Sequence, residues 1–443
     1  MLRSRLAVAA QIAVAIAQIA IAIAWLVVGS RLIGQAQHLG YFDTREYRKI
    51  AALPLGDPGF WNGVRPWAGP LLMKLAGSDE RQVKIQIALY AIGWLAFAFS
   101  VAGLARRGVI RVALFALLLS LGLCTDVFYW QKSISSESVS TSLLLLALAL
   151  AIPLLRRPSP LRVALLVPPL VAATVPWFFT RDANGYVLLS LVVAATVLAA
   201  IIPSARRKAR VLVPILVATV IALGLQSRAA DRSGRWKFCF VNLLGQRVLG
   251  YQARRAYFEA HGMPANPKVQ CFAGKWGNSC GGDWSGFGPF LDGNIKGLWA
   301  RYLLSRPAAT LAEPLFHLPE LLSATFKADQ DHSTLMFYFK VKEPEWQRRL
   351  NVFVFANSRD VRWPLGGALL VAAALALRRR WAGRLLVPAA LVVAIYPMIF
   401  FIWHADAMEP QRHAILPVLL SRVGLWSAIL LGLDVLLERR IKK

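Results

Sequence analysis

Apolar residues along the chain fall into runs of about 15–23 positions, broken by short stretches in which Arg, Gly and Pro gather. A helix rises 1.5 Å per residue, so about 20 apolar residues cover the roughly 30 Å of a bilayer's hydrocarbon core. Ten spans are predicted, near 7–29, 85–105, 112–125, 138–155, 163–180, 185–203, 211–227, 364–377, 385–403 and 414–437. Spans 3 and 8 are short and have charged flanks. The first run follows Met1-Leu2-Arg3-Ser4-Arg5, but it is longer than the 7–15 residues of a signal-peptide core and is expected to stay as an uncleaved helix. No internal repeat stands out. The pattern predicts an all-α polytopic membrane protein.

Composition agrees. Of 443 residues, 57% are hydrophobic and 17% charged, against about 25% charged in a soluble domain. A soluble globular enzyme, a disordered chain and a small disulfide-held protein are excluded.

The net charge of +28 would point to nucleic acid in a soluble protein, but its placement argues otherwise. The N-terminus and every second loop carry Arg3 and Arg5, Arg106, Arg107 and Arg111, Arg156, Arg157 and Arg162, and Arg206, Arg207, Lys208 and Arg210. Arg378, Arg379, Arg380 and Arg384 continue the series, and Arg439, Arg440, Lys442 and Lys443 end it. These twenty cations share their side with Glu438 and Asp434 alone among the acids. The positive-inside rule makes these loops cytoplasmic and puts both termini inside. The charge is a topology signal, and no nucleic-acid partner is expected.

This threading leaves a seven-span block at 1–227, an outer segment at 228–362 and a three-span block at 363–443. The first outer loop, about 30–84, is long and polar. Within the outer segment, Phe240 to His261 predicts one helix stopped by Gly262 and Pro264, and Gly274 to Gly288 an irregular loop. Two amphipathic helices follow, at 295–305 and 308–326, cut by Pro307 and Pro314. Cys271 and Cys280 are close enough in sequence for a small disulfide loop. A zinc site is disfavoured because no CxxC pair is present. The pairing of Cys239 stays open, and Cys124 reads as an apolar filler.

Candidate chemistry collects on the outer side. A short helix at 44–53 would set Asp43, Glu46, Tyr47 and Ile50 on one face. Asp43 is a candidate general base on a hydroxyl, and Arg65 a candidate ligand for phosphate. Asp43-x-x-Glu46 is equally a capping-box spacing, and the sequence leaves both readings open. Three further outer junctions combine aromatics with charge: Phe128 to Glu137, with Lys132; Trp177 to Asn184, with Arg181 and Asp182; and Trp403 to His413, with His404, Asp406, Glu409 and Arg412. Each junction alone fits an interfacial aromatic belt. A site handling a lipid phosphate needs the same cations together with an acid. Arg422 falls about 12 Å into the last span, where it either faces a cavity or partner or snorkels outward. A His404–Asp406–His413 metal site is disfavoured, and no nucleotide-binding or zinc-protease motif is present.

In order and sidedness these residues resemble the GT-C superfamily of membrane glycosyltransferases, which includes the protein O-mannosyltransferases and lipid A aminoarabinose transferase. The matching features are Asp43, Tyr47 and Ala51, then Arg65-Pro66 with Pro70, Ser136-Glu137, Arg181 with Asn184, and Glu409 with Arg412. The likeness covers about 1–227 and a thin stretch near 404–417. It implies that 1–227 is a catalytic module moving a sugar from a polyprenyl-phosphate donor, as co-substrate, to an acceptor hydroxyl on a glycan, lipid or protein. Asp43 would be the base, with Glu46 and Glu137 as the other catalytic acids. Arg65, Lys132, Arg181 and Arg412 would hold the donor phosphate. Tyr47, Asp182, Asn184, His404, Glu409 and Arg422 would form a second layer or the acceptor side. Family members often carry paired acids in the first loop. Here Asp43 is followed by Thr44, which disfavours a divalent metal as cofactor.

The Ala/Leu/Arg-rich composition suggests a GC-rich bacterial genome, and with the basic loops inside, the expected place is a bacterial inner membrane with the site facing the periplasm. Two other classes remain: a transporter or flippase for a lipid-linked saccharide, and a surface-polysaccharide polymerase or ligase. A transporter predicts ionisable residues along several spans, where Arg422 and Asp434 are the candidates.

Overall fold

A computed structural model describes residues 2–40, 43–156, 159–201, 206–322, 343–355, 382–405, 407 and 410–440. Among them eight helices are long and apolar enough to cross a membrane: Val8–Gln35, Asp79–Ala102, Ser136–Arg156, Pro160–Phe178, Asp182–Ile201, Leu212–Ser233, Leu385–Ala405 and Ile415–Val435. Gly108–Gly122 and Thr125–Lys132 form a further pair, bent by 68°. The span expected at 364–377 and the cations Arg378 to Arg380 lie outside the described residues. Helices therefore stand at the other nine expected positions. The second span starts earlier than expected, at Asp79, because Ser78 caps it by accepting the Arg81 N–H at 3.3 Å. The third is bent where Gly122 lies under Trp94, whose ring a Cβ there would meet at 3.0 Å.

Small residues set the helix crossings. A Cβ on Gly93 would fall 2.7 Å from the Ser142 carbonyl, so Asp79–Ala102 and Ser136–Arg156 touch backbone to backbone. The main apolar core is built on these helices and on Ile415–Arg440, with Trp94, Phe97, Phe115 and Leu420 fully buried. The far ends of the helices from the outer loops are tied by Asp434, whose carboxylate accepts the Arg106 and Arg107 backbone N–H groups at 2.9 and 3.0 Å.

At the other end the first loop folds into Thr44–Ala52, Pro58–Trp61 and Ala68–Ala76. A two-residue parallel pairing, Leu39 with Ser133 and Gly40 with Ile134, registers this loop on the residues just before Ser136–Arg156. Thr44 Oγ1 adds a 2.6 Å bond to the Ile134 carbonyl. Lys74 closes the C-terminus of Thr44–Ala52 by donating to the Ala51 and Leu53 carbonyls at 2.9 and 2.8 Å. Asp43 and Glu137 are thereby carried to one place.

The outer segment has its own core of Phe258, Phe272, Phe287, Val248 and Leu298. The single helix expected from Phe240 to His261 is instead two, Trp236–Leu244 and Gln252–Ala260, separated by a π turn at Gly245–Leu249. Gly245 is the reason: a Cβ there would lie 2.3 Å from the Lys275 carbonyl and 2.8 Å from that of Phe272. The stop at Gly262 is as expected, with φ at +96°. Ile295–Leu304 and Pro307–Phe316 follow, and the second amphipathic helix gives way after Phe316 to a short Leu318–Leu322 turn of helix. Cys271 and Cys280 are disulfide-bonded, and neither Cys124 nor Cys239 is in a disulfide.

Candidate functional site

Asp43 stands at the N-terminus of Thr44–Ala52, but its backbone is already helical and its carboxylate makes no cap hydrogen bond. The capping reading is corrected, because the carboxylate is engaged elsewhere. Oδ1 lies 2.7 Å from an Arg65 Nη2, and Oδ2 accepts from Arg412 Nη2 at 3.1 Å. Glu46, the other half of the expected capping box, pairs with Lys49 at 2.9 Å on the surface.

Glu137 opens Ser136–Arg156 and is fully buried. Its Oε1 accepts from Arg412 Nε at 2.6 Å and lies 3.3 Å from Arg181 Nη1. A buried carboxylate between two guanidiniums fixes both forks without itself reaching the solvent. His413 joins the group through Nδ1, 3.0 Å from Arg181 Nη2. A guanidinium has no acceptor, so Nδ1 must accept and the ring is neutral. Burial pushes the His413 pKa well below the ordinary value, and the Arg181 and Arg412 guanidiniums push it the same way. Asp43, Glu137, Arg65, Arg181, Arg412 and neutral His413 thus carry three positive and two negative charges, a surplus suited to one further anion.

A cavity of about 810 Å³ opens over this cluster, lined by Asp43, Arg65, Arg181, Arg412 and His413. That is within the usual size of small-molecule sites. Tyr47, Asp182 and His404, named from sequence, also line it. The Tyr47 phenol is pushed up to about 12 by burial and the nearby Asp43 and Glu137 carboxylates, so it stays protonated as a donor. His404 Nε2 is 3.1 Å from the Thr310 carbonyl. Asp182 is held by Arg235 through bonds of 2.9 and 2.7 Å and by Gln226 at 3.0 Å.

Other named residues lie elsewhere. Asn184 is buried and donates to Ser140, Thr180 and the Trp177 carbonyl, bracing the start of Asp182–Ile201. Lys132 is half-buried at the end of the Tyr129–Lys132 turn and does not line the cavity. Arg422 is buried within Ile415–Arg440 and does not line it either. Asp406 and Glu409 are outside the described residues. Among the described residues no group of three or more His, Cys, Asp or Glu side chains is arranged to hold a metal ion.

Arg235 was invisible in the sequence, one cation among 51. Its Nη1 donates to the Gly63 carbonyl at 3.0 Å, so one side chain joins the first loop, Asp182 and the outer segment. Trp276, Asn278 and Lys296 also line the cavity without having been named. No protein-family model, curated protein or solved structure matches the chain.

Proposed function

We propose that this cavity is the active site of a membrane glycosyltransferase that moves a sugar from a polyprenyl-phosphate donor to an acceptor hydroxyl on the outer face of the membrane. The observation that carries the reading is the convergence of Asp43 and Arg65 of the first loop with Arg181 and Arg412, from three separate stretches of an apolar helical chain, on one cavity with surplus positive charge. The forks of Arg65, Arg181 and Arg412 take the donor phosphate, which competes with Asp43 for Arg65 and Arg412. Asp43 is then released toward the acceptor. It takes the acceptor's hydroxyl proton as the oxygen bonds to the sugar's anomeric carbon. The bond from that carbon to the phosphate oxygen breaks, and polyprenyl phosphate leaves with the electron pair, stabilised by the guanidiniums. Attack from the face opposite the phosphate inverts the anomeric centre.

The end of the helices away from the short Arg-rich loops, where this cavity sits, is assigned to the periplasm of a bacterial inner membrane. In this assignment the chain has ten spans and both termini are cytoplasmic. A transporter draws less support, because Arg422 does not line the cavity and Asp434 is bound to the Arg106 and Arg107 backbone.

The test is direct. Purified protein mixed with a polyprenyl-phosphate sugar and an extract of envelope acceptors is expected to release polyprenyl phosphate, and Asp43→Asn protein to release little. No release above a protein-free control would sink the reading.

A further inference from the structure

We infer that the disulfide-braced loop Cys271–Cys280 builds a saccharide-binding subsite in the cavity, with Trp276 as the stacking surface and Asn278 as the hydroxyl-bonding group. That the bound saccharide is the acceptor rests on the transfer reading above; the binding itself does not.

Trp276 lines the cavity and keeps 43% of its surface exposed. Its backbone is nevertheless pinned on both sides. The Gly274 N–H donates to the Gly245 carbonyl at 2.9 Å, and the Gly277 N–H to Asn242 Oδ1 at 2.7 Å. Trp284 Nε1 donates to the Gly277 carbonyl at 2.7 Å, and the Cys271–Cys280 bond closes the loop around all of these. The close approach of Gly245 to Lys275, which broke the helix expected at 240–261, is part of the same anchoring. An exposed indole on an anchored loop is a platform set before any ligand arrives, so binding orders little.

Asn278 is exposed on the same loop and lines the same cavity, and its amide makes no hydrogen bond among the described residues. An amide offers two donors and an acceptor, the pattern needed by vicinal hydroxyls. A pyranose matches both features. Its ring carries weakly positive C–H groups on one face, which suit the negative face of an indole, and hydroxyls around its edge. A phosphate could take an N–H of Asn278 but would gain nothing from the ring face of Trp276. A polyprenyl tail would leave the Asn278 amide without a partner. Lys296, over the Trp236 ring at 4.3 Å and paired with Asp231, lines the cavity nearby.

The test is calorimetric titration of the full chain in lipid nanodiscs. The probes are gluco-, galacto-, manno- and arabino-trisaccharides, with Ser/Thr tripeptides as the rival class. At least one trisaccharide is expected to bind saturably. Trp276→Ala should weaken it by about tenfold, the range of a lost stacking contact, while Trp276→Phe stays within about threefold. Asn278→Ala should cost about three- to tenfold, one hydrogen bond. Trp346→Ala, an exposed tryptophan away from the cavity, should bind as the unaltered protein does. The subsite is overturned if no trisaccharide binds, if Trp276→Ala binds as tightly as the unaltered protein, or if a tripeptide binds in a Trp276-dependent way instead. Trisaccharide binding without release of polyprenyl phosphate from any donor would remove the transfer reading and keep the subsite. Release that is insensitive to Trp276 would keep the transfer reading and strip the bound saccharide of the acceptor role.

Discussion

Arg412 Nε meets Glu137 Oε1 at 2.6 Å across 275 residues of chain, and the same guanidinium reaches Asp43 Oδ2 at 3.1 Å. The late turn Pro410–His413 is thus bolted to the start of Ser136–Arg156 and to the first loop at once. Because Glu137 is fully buried, removing its charge takes a carboxylate from both Arg181 and Arg412 in a poorly solvated place, with Asp43 left to Arg412. Glu137→Ala is expected to destabilise the protein by about 3–5 kcal/mol, and Glu137→Gln by less, since the amide oxygen still accepts from Arg412. Denaturant unfolding of purified protein measures both. An unchanged midpoint for Glu137→Ala would show that the pair does not brace the fold.

Asp43 makes no cap bond, so shape and proton affinity can be separated there. Asp43→Asn keeps the size and one oxygen, which can accept from Arg65 or from Arg412 but not from both, and its amide takes no proton at neutral pH. Turnover should fall by roughly 10²–10⁴, the usual contribution of a positioned base, with donor affinity kept or raised. Asp43→Ala should lose no more stability than Asp43→Asn through the helix terminus. Near-full turnover in Asp43→Asn protein would end the base assignment.

The apolar runs were legible because hydrocarbon thickness acts on sequence directly. Asp43, Arg65, Arg181 and Arg412 were legible for the same reason, as charges at span ends on one side. Their partners were not. Glu46 and Asp43 occupy a capping-box spacing, and it is the docking of the first loop on Ile134, through the Gly40 pairing and the Thr44 bond, that carries Asp43 to Arg412 while Glu46 pairs with Lys49. The break at Gly245 was hidden because a glycine inside an amphipathic run is costly but tolerated, and its reason is a carbonyl 30 residues later, Lys275. Trp276 and Arg235 gave no local sign, since cavity walls are made by tertiary packing.

Arg65, Arg181 and Arg412 are argued to hold one phosphate, and Lys tests that by keeping the charge while losing the planar fork. Each single Lys variant should bind a polyprenyl-phosphate sugar more weakly, by about tenfold, with folding kept. Lys132→Ala, altered at a residue that does not line the cavity, should bind as tightly as the unaltered protein. Equal donor affinity in all three Lys variants would return these residues to interfacial anchors.

Orientation can be read with a membrane-impermeant thiol reagent on single cysteines in a background where Cys239 is serine. Cysteine at position 276 should be labelled from the periplasm. Position 109, 81% exposed at the opposite end of the bundle, should be labelled only after the membrane is opened. The reverse pattern would invert the topology and remove the site from the outer face.

His413 gives the fold a pH dependence whose sign can be worked out. Burial and two guanidiniums lower its pKa in the folded protein, while in the unfolded chain it returns to about 6.5. Between those two values the unfolded chain binds the extra proton, so stability rises with pH. The contribution is complete above about pH 6.5 and is lost as pH falls toward the folded value, by up to about 1.4 kcal/mol per pH unit. His413→Gln keeps an oxygen to accept from Arg181 Nη2 but cannot titrate. The unfolding midpoint of the unaltered protein should therefore fall more steeply between pH 7 and pH 5 than that of His413→Gln. Carboxylates common to both proteins cancel in this comparison, which isolates the imidazole. Parallel profiles over the whole interval would mean that His413 carries the same charge folded and unfolded, and the neutral ring accepting from Arg181 would have to be given up.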